Sequence, residues 1–192
     1  VKNGDFQMTM LGLAMGALFM LISLSKPLEN LSKLKPPRSI FTPSIVFSVL
    51  AQFAFHFITL VYIVSVTDPY VNRDESTEPD TDFKPNLKNN VVFLYSWTMT
   101  ATTFLVNYEG APFMQSIKEN TKLYKGIIAM YIIGLVAILD IFEFVRENFE
   151  LVPFPSSDIQ TKVIIALTVD TLLCIAVCEI IKRTSRHLQL MK

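Results

Sequence analysis

The sequence predicts an all-α fold, a polytopic membrane bundle of five transmembrane helices, and three observations carry that prediction. Five long apolar runs divide the chain, at residues 6–24, 44–66, 91–108, 127–144 and 163–181. The chain is 51% hydrophobic yet 18% charged, and its charges gather between the runs instead of spreading along amphipathic elements. The connections then alternate in sign. Each run is close to the ~20 residues that a helix rising ~1.5 Å per residue needs to cross ~30 Å of hydrocarbon. In lipid the backbone must satisfy its own hydrogen bonds, so the runs are expected to be helices.

The loop charges assign an orientation. Residues 25–43 carry Lys26, Lys33, Lys35 and Arg38 against Glu29, and residues 109–126 carry Lys118, Lys122 and Lys125 against Glu109 and Glu119. The tail, 182–192, holds Lys182, Arg183, Arg186 and Lys192. In contrast, the loop 67–90 holds Asp68, Asp74, Glu75, Glu78, Asp80 and Asp82 against Arg73, Lys84 and Lys88, and the fourth connection holds Glu143, Glu147, Glu150 and Asp158 against Arg146. Basic connections stay in the cytosol, which predicts cytosolic 25–43, 109–126 and 182–192 and places Val1 on the far side. The balanced net charge argues against a nucleic-acid partner. No Cys/His zinc spacing, Gly-rich phosphate loop or soluble catalytic constellation is present. His56 and His187 fall in different compartments.

In the first span, Asp5 is expected to be the N-cap, and Gly12 and Gly16 form a small-residue step suited to close helix packing. Lys26-Pro27 ends the span, since proline cannot continue the hydrogen-bond ladder. The start, Val1-Lys2-Asn3-Gly4-Asp5, lacks a Met, a basic n-region and a cleavage site, so it is no signal peptide and reads as the interior of a longer chain.

In the second span Gln52, His56 and Thr59 share a face. An amide and an imidazole at that depth must point into protein or a wet cavity. Two readings stay open: polar fasteners between helices, or the lining of a transport path. The loop 67–90, with Pro69, Pro79 and Pro85 and little apolar periodicity, is read as long and exposed.

The third span is the most polar, with Ser96, Thr98, Thr100, Thr102, Thr103 and Asn107 among Phe93, Tyr95, Trp97, Phe104 and Tyr108. Hydroxyls can bond back to their own helix, and the span is expected to face protein on at least two sides. The fourth contains Gly134 and ends near Asp140 and Glu143, read as interfacial. The fifth contains Asp170, whose insertion alone costs roughly 2.5–3.5 kcal/mol at a helix centre, so it must bond a neighbour or face water. Glu179 is expected to be neutralised by Lys182 and Arg183. Cys174 and Cys178, a helical turn apart, are expected to pack as small apolar side chains, and no metal site is expected.

Several strings, in order, carry a resemblance: G-D-F-Q-M-T at 4–9, S-K-P-L-E-N-L-S at 25–32, Q-F-A-F-H-F-I-T-L-V-Y at 52–62, F-K-P-N-L at 83–87, T-F-L-V-N-Y-E-G-A-P-F at 103–113, S-I-K-E-N at 116–120 and L-V-P-F-P at 151–155. The chain resembles the C-terminal membrane half of the type V, subgroup A, P-type ATPases of the endoplasmic reticulum. The resemblance implies that the five spans correspond to the sixth through tenth helices of the pump, with 67–90 in the lumen. It implies an ATP-driven transmembrane-helix dislocase that extracts misinserted or mistargeted segments. ATP and Mg2+ would bind outside this chain, whose D-K-T-G phosphorylation loop, nucleotide-binding domain and T-G-E loop are absent. Its partners would be the remaining helices and cytosolic domains of the same ATPase, hydrophobic segments as substrate, and lipid. Asp5, Gln7 and Thr9, at the mouth of the sixth helix, are the candidates for the pocket wall or its gating. Gln52, His56, Asn107, Tyr108 and Asp170 rank first as fasteners and second as substrate contacts. The alternatives are a non-catalytic five-helix scaffold subunit or a cation-transporting P-type pump.

The orientation has a direct test. Asn30-Leu31-Ser32 is a glycosylation sequon in a connection read as cytosolic, so Asn30 is predicted to stay unmodified. Endoglycosidase treatment should leave the mobility of the expressed protein unchanged at this site, whereas a glycan on Asn30 would invert the topology.

Overall fold

A computed structural model describes residues 2–30, 35–36, 39–71 and 83–190. Ser32, Lys33, Pro37, Arg38, Lys192 and most of the acidic loop, from Asn72 to Asp82, lie outside the described residues. The order is α1 (Asp5–Ser23), α2 (Pro43–Thr67) running into a 3-10 turn (Asp68–Tyr70), α3 (Leu87–Asn107), α4 (Thr121–Ile138), a short α5 (Glu143–Asn148) and α6 (Ser157–Leu190). Among the described residues there is no strand, only one antiparallel bridge between Pro27 and Met114.

Local chemistry explains why the helices depart from the apolar runs. α3 begins four residues before its run because the Asn86 side chain accepts from the Asn89 amide at 2.8 Å, an N-cap that satisfies a donor the helix leaves open. Asn120 does the same for α4, accepting from Leu123 N–H at 3.2 Å. α4 therefore starts at Thr121 and takes in Lys122 and Lys125, whose stems can lie along apolar surface while the ammonium reaches water. It stops at Ile138 instead of residue 144, because Asp140 turns into the left-handed region with φ 52°. Arg146 of α5 reaches back to bond Asp140 at 2.9 Å and Glu143 at 2.8 Å, so Asp140 is paired and not simply solvated. Pro43 occupies the first position of α2, where its missing N–H costs nothing. The N-cap of α1 is Gly4 and not Asp5; Asp5 sits in the first turn, where its charge suits the positive end of the helix dipole.

Among the described residues, four helices are long and apolar enough to cross a membrane: α1, α2, α4 and α6. The expected fifth, α3, has the length but not the hydropathy. The reason is its place in the bundle: α3 packs against α1, α2, α4 and α6, and most of its side chains are buried by protein. A helix sheathed by others need not be apolar all round. Its hydroxyls bond its own backbone, Ser96 to Val92 O at 2.8 Å, Thr98 to Leu94 O at 2.9 Å and Thr100 to Ser96 O at 2.8 Å, so they bring no open donor into the core. The outer faces of the other helices are apolar and exposed, with Leu13, Phe19, Phe53, Phe57, Ile165 and Leu172 among them. Such faces suit lipid or further helices.

The core centres on α3. Trp97, Phe93 and Phe149 form an aromatic cluster with ring centroids 5.5–6.2 Å apart, and Trp97 Nε1 donates to Met130 O of α4 at 2.8 Å. Close approach of helices is made by the glycines of α4. A methyl group at Gly134 would lie 3.3 Å from Trp97 Cδ1, and one at Gly126 would lie 2.8 Å from Leu21 of α1. At Gly12 and Gly16, by contrast, an added methyl meets nothing within 4 Å among the described residues. Their step faces open space, so the close packing expected there is not made among the described residues.

The connections assort to two ends. Leu28 N–H donates to Phe113 O at 2.9 Å and Gln115 N–H to Lys26 O at 2.9 Å, joining the two basic connections at one end of the bundle. At the other end, Asn90 exchanges bonds with the Val152 backbone, at 2.6 and 3.2 Å.

Substituting Gly134→Leu is predicted to push α4 off Trp97 and to destabilise the bundle by about 1–3 kcal/mol, the usual cost of overpacking. A lowered midpoint in a thermal-shift assay of the detergent-solubilised protein is the expected outcome, with Gly16→Leu as the neutral comparison.

Candidate functional site

The polar side chains of the membrane helices pair at three levels, and α3 takes part in each. At the acidic end, Gln7 of α1 and Asn89 of α3, both fully buried, exchange carboxamide bonds: Gln7 Nε2 donates to Asn89 Oδ1 at 2.9 Å and Asn89 Nδ2 to Gln7 Oε1 at 3.1 Å. Gln7 also donates to Phe149 O at 2.9 Å and accepts from Gly4 N–H at 3.1 Å. Asp5 and Thr9 do not join it. Both are exposed, one turn apart, with the Thr9 hydroxyl bonded to Asp5 O at 2.8 Å. The three residues thus divide: Gln7 faces inward, while Asp5 and Thr9 present an open edge at the start of α1.

At mid-height, α2 and α6 meet along two stripes of residues four apart: Ser48, Gln52 and His56 on α2, and Asp170, Cys174 and Cys178 on α6. The 3.6-residue turn puts each stripe on one face. His56 Nδ1 lies 2.8 Å from Asp170 Oδ2, and its Nε2 lies 3.8 Å from Cys174 Sγ. Tyr95 of α3 donates to His56 O at 3.0 Å. Ser48 and Cys178 are 3.3 Å apart. Nearby, Thr102 meets the hydroxyls of Tyr131 at 2.9 Å and Thr171 at 3.0 Å, linking α3, α4 and α6.

Toward the basic end, Gln52 and Asn107 exchange carboxamide bonds at 2.9 and 3.1 Å. Tyr108 donates to Gln115 O at 2.9 Å and lies 2.9 Å from the Ser25 hydroxyl, which accepts from Asn120 at 2.8 Å. Glu179 bonds Arg183 at 2.8 Å, but Lys182 does not join that pair. It turns to the end of α3 and donates to Val106 O at 2.8 Å and Tyr108 O at 3.3 Å, capping carbonyls the helix leaves open. In the adjoining connection, hydrogen bonds from the Ser116 hydroxyl and amide hold the Glu119 carboxyl below its ordinary range.

Two open spaces border these groups. A cavity of about 250 Å³ at the basic end is lined by Lys35, Ser48, Asn107, Glu109, Lys182 and Arg186. A groove of about 390 Å³ between α4 and α6 is mostly apolar, with the hydroxyls of Tyr131 and Thr171 in its wall. The arrangement offers amides, hydroxyls and one imidazole rather than a cage of carboxylates. Cys174, His56 and Asp170 stand in the order thiol, imidazole, carboxylate, but all three are buried between α2 and α6. Sequence reasoning did not single out Asn89 or Asn90, which lie just before an apolar run and read as loop. Their signal was Asn86, three residues upstream of Asn89 and able to cap a helix that contains both.

Asp170→Leu would leave the His56 imidazole buried beside hydrocarbon. Breaking a buried pair from one side costs about 3–5 kcal/mol, so the variant is predicted to lower the yield of monodisperse protein by more than it lowers turnover per folded molecule. Size-exclusion chromatography of the intact protein, with activity normalised to the folded peak, separates the two.

No protein-family model matches the chain. Comparison with curated proteins does find relatives. The endoplasmic reticulum transmembrane helix translocase of Schizosaccharomyces pombe is 32% identical over 97% of this chain. The protein of the same name from Saccharomyces cerevisiae is 35% identical over 88% of it. A probable manganese-transporting ATPase, PDR2, of Arabidopsis thaliana is 36% identical over 91%. The chain spans about 15% of the length of each of the first and third and 14% of the second. The matched stretch covers nearly the whole chain, from the first helix to the last. The chain therefore belongs to the type V, subgroup A, P-type ATPases of the endoplasmic reticulum membrane and corresponds to their C-terminal part.

Proposed function

We propose that this chain is the C-terminal membrane part of an ATP-driven dislocase that extracts misinserted or mistargeted hydrophobic helices from the endoplasmic reticulum membrane. The observation that carries the reading is similarity over nearly the whole chain to proteins named transmembrane helix translocases. ATP hydrolysis, with its Mg2+, belongs to domains outside this chain. The part played here is mechanical: a bundle cross-linked at three heights through α3 gives a moving pump a stiff wall. α1 is the element best placed to touch what moves. Its outer face carries exposed Phe6, Leu13, Phe19 and Met20 together with the open Gly12 and Gly16 step, and Asp5 and Thr9 are exposed at its start.

The basic end is proposed to face the cytosol, in keeping with the charge rule. A cationic substrate is the second reading, favoured by the name of the Arabidopsis relative, a probable manganese-transporting ATPase. Against it, hard divalent cations take cages of oxygen ligands, while Asp170, the buried carboxylate in the middle of α6, is bonded to an imidazole. The scaffold-subunit reading is excluded if the phosphorylation and nucleotide-binding domains lie on the same polypeptide.

The test is an ATPase assay of the intact protein in lipid nanodiscs. A hydrophobic transmembrane peptide with a polar flank is predicted to stimulate turnover several-fold, and Mn2+, with Mg2+ present, is predicted not to. The paired change Asp5→Ala with Thr9→Ala should weaken peptide stimulation without lowering thermal stability. Gln7→Ala should lower stability by about 1–3 kcal/mol, the cost of leaving buried polar groups unpaired. Stimulation by Mn2+ alone would overturn the reading.

A further inference from the structure

We propose that His56, Asp170 and Cys174 form a binding site for one zinc-class divalent cation, clamping α2 to α6 inside the membrane. One donor atom from each residue lies within 4.8 Å of the other two. The Nε2–Sγ separation of 3.8 Å is near the roughly 3.5 Å that separates an imidazole nitrogen and a thiolate sulfur on one tetrahedral zinc, given Zn–N of about 2.0 Å and Zn–S of about 2.3 Å. Asp170 Oδ2 is bonded to the other ring nitrogen, Nδ1, at 2.8 Å, so the carboxylate must turn Oδ1 toward the ion to complete the set. Asp170 is 1% exposed, and its Oδ1 has no hydrogen-bond partner among the described residues. A buried carboxylate oxygen without a donor is costly, and a cation would answer it.

The chemistry of the three donors selects the metal. Nitrogen, sulfur and oxygen together suit Zn2+ or Co2+, whereas Mg2+, Ca2+ and Mn2+ prefer all-oxygen shells. Charge favours occupancy as well. A carboxylate, a thiolate and a neutral imidazole sum to minus two, and a divalent cation brings the cluster to neutrality in a medium of low dielectric. On binding, the Cys174 thiol gives up its proton to solvent as the metal–sulfur bond forms, and no electron moves. The structure also holds an approach. Cys178, one turn from Cys174, lines a cavity of about 360 Å³ at the basic end, with Glu109, Glu119, Glu179, Lys182 and Arg186 in the same wall. A soft donor thus stands between this charged vestibule and the site. The site departs from the sequence expectation of fasteners, or secondarily substrate contacts, at His56 and Asp170 and of a packing group at Cys174, and it is independent of the dislocase reading: a static clamp serves any cargo.

The experiment strips the intact, purified protein with a chelator and reloads it with Co2+ alone. A thiolate-to-cobalt absorption in the near ultraviolet is expected, lost on addition of Zn2+, absent in Cys174→Ser and retained in Cys178→Ser. X-ray absorption of the zinc-loaded wild type is the second measurement, for the case in which Cys174→Ser fails to fold. One sulfur at about 2.3 Å with nitrogen or oxygen at about 2.0–2.1 Å is expected. An unaltered cobalt band in Cys174→Ser, a zinc shell without sulfur, or preferential retention of Mn2+ overturns the site. Because these readouts follow the metal and not transport, they are separable from the ATPase test.

Discussion

A polar side chain in hydrocarbon has no water to turn to, and that constraint organises this bundle. Each unanswered donor or acceptor would cost several kcal/mol in lipid, so helices bearing such groups must meet. The meeting place is α3. It carries the asparagines, threonines and tyrosines that pair with α1, α2, α4 and α6, and it is low in hydropathy for the same reason that it is buried. The four apolar helices insulate it, and it holds them in register.

The pairing is distributed with a consequence for mechanics. The Gln7–Asn89 exchange pins the acidic end, the His56–Asp170 contact the middle and the Gln52–Asn107 exchange the region toward the basic end. Carboxamide pairs of this kind are reciprocal, each group donating and accepting, so removing one partner strands the other. A bundle held in this way resists shear between its helices. The outer face of α1, by contrast, stays open among the described residues.

The ends follow the same logic in a wetter setting. Lys182 covers the final carbonyls of α3, and Asn120 bridges Leu21 O of α1 and Ser25, so the helix termini at the basic end are satisfied by side chains from neighbouring helices. The Lys182 ammonium thereby seals the C-terminal end of α3.

Much of this was legible in the residues alone. Run length and hydropathy demand helices across a bilayer, because they are properties of a chain measured against its solvent, and the quoted strings are specific enough to mark the family. That Gln52, His56 and Asp170 needed partners could also be read, since their cost in lipid does not depend on the fold. Which partner each one takes could not. That Asp170 finds His56 and not water, that Gln52 finds Asn107, that Gln7 turns inward while Asp5 and Thr9 face out, and that α4 and not α1 supplies the glycines for close packing all depend on the rotation of each helix about its axis. Rotation is set by contacts between residues 55 to 114 positions apart in these α2 pairs, a separation at which local periodicity carries no information. The sequence by itself therefore determined the solvent, the elements and the groups that had to be paired; only the tertiary structure decided the pairs, because pairing is a relation between faces that a linear pattern cannot orient.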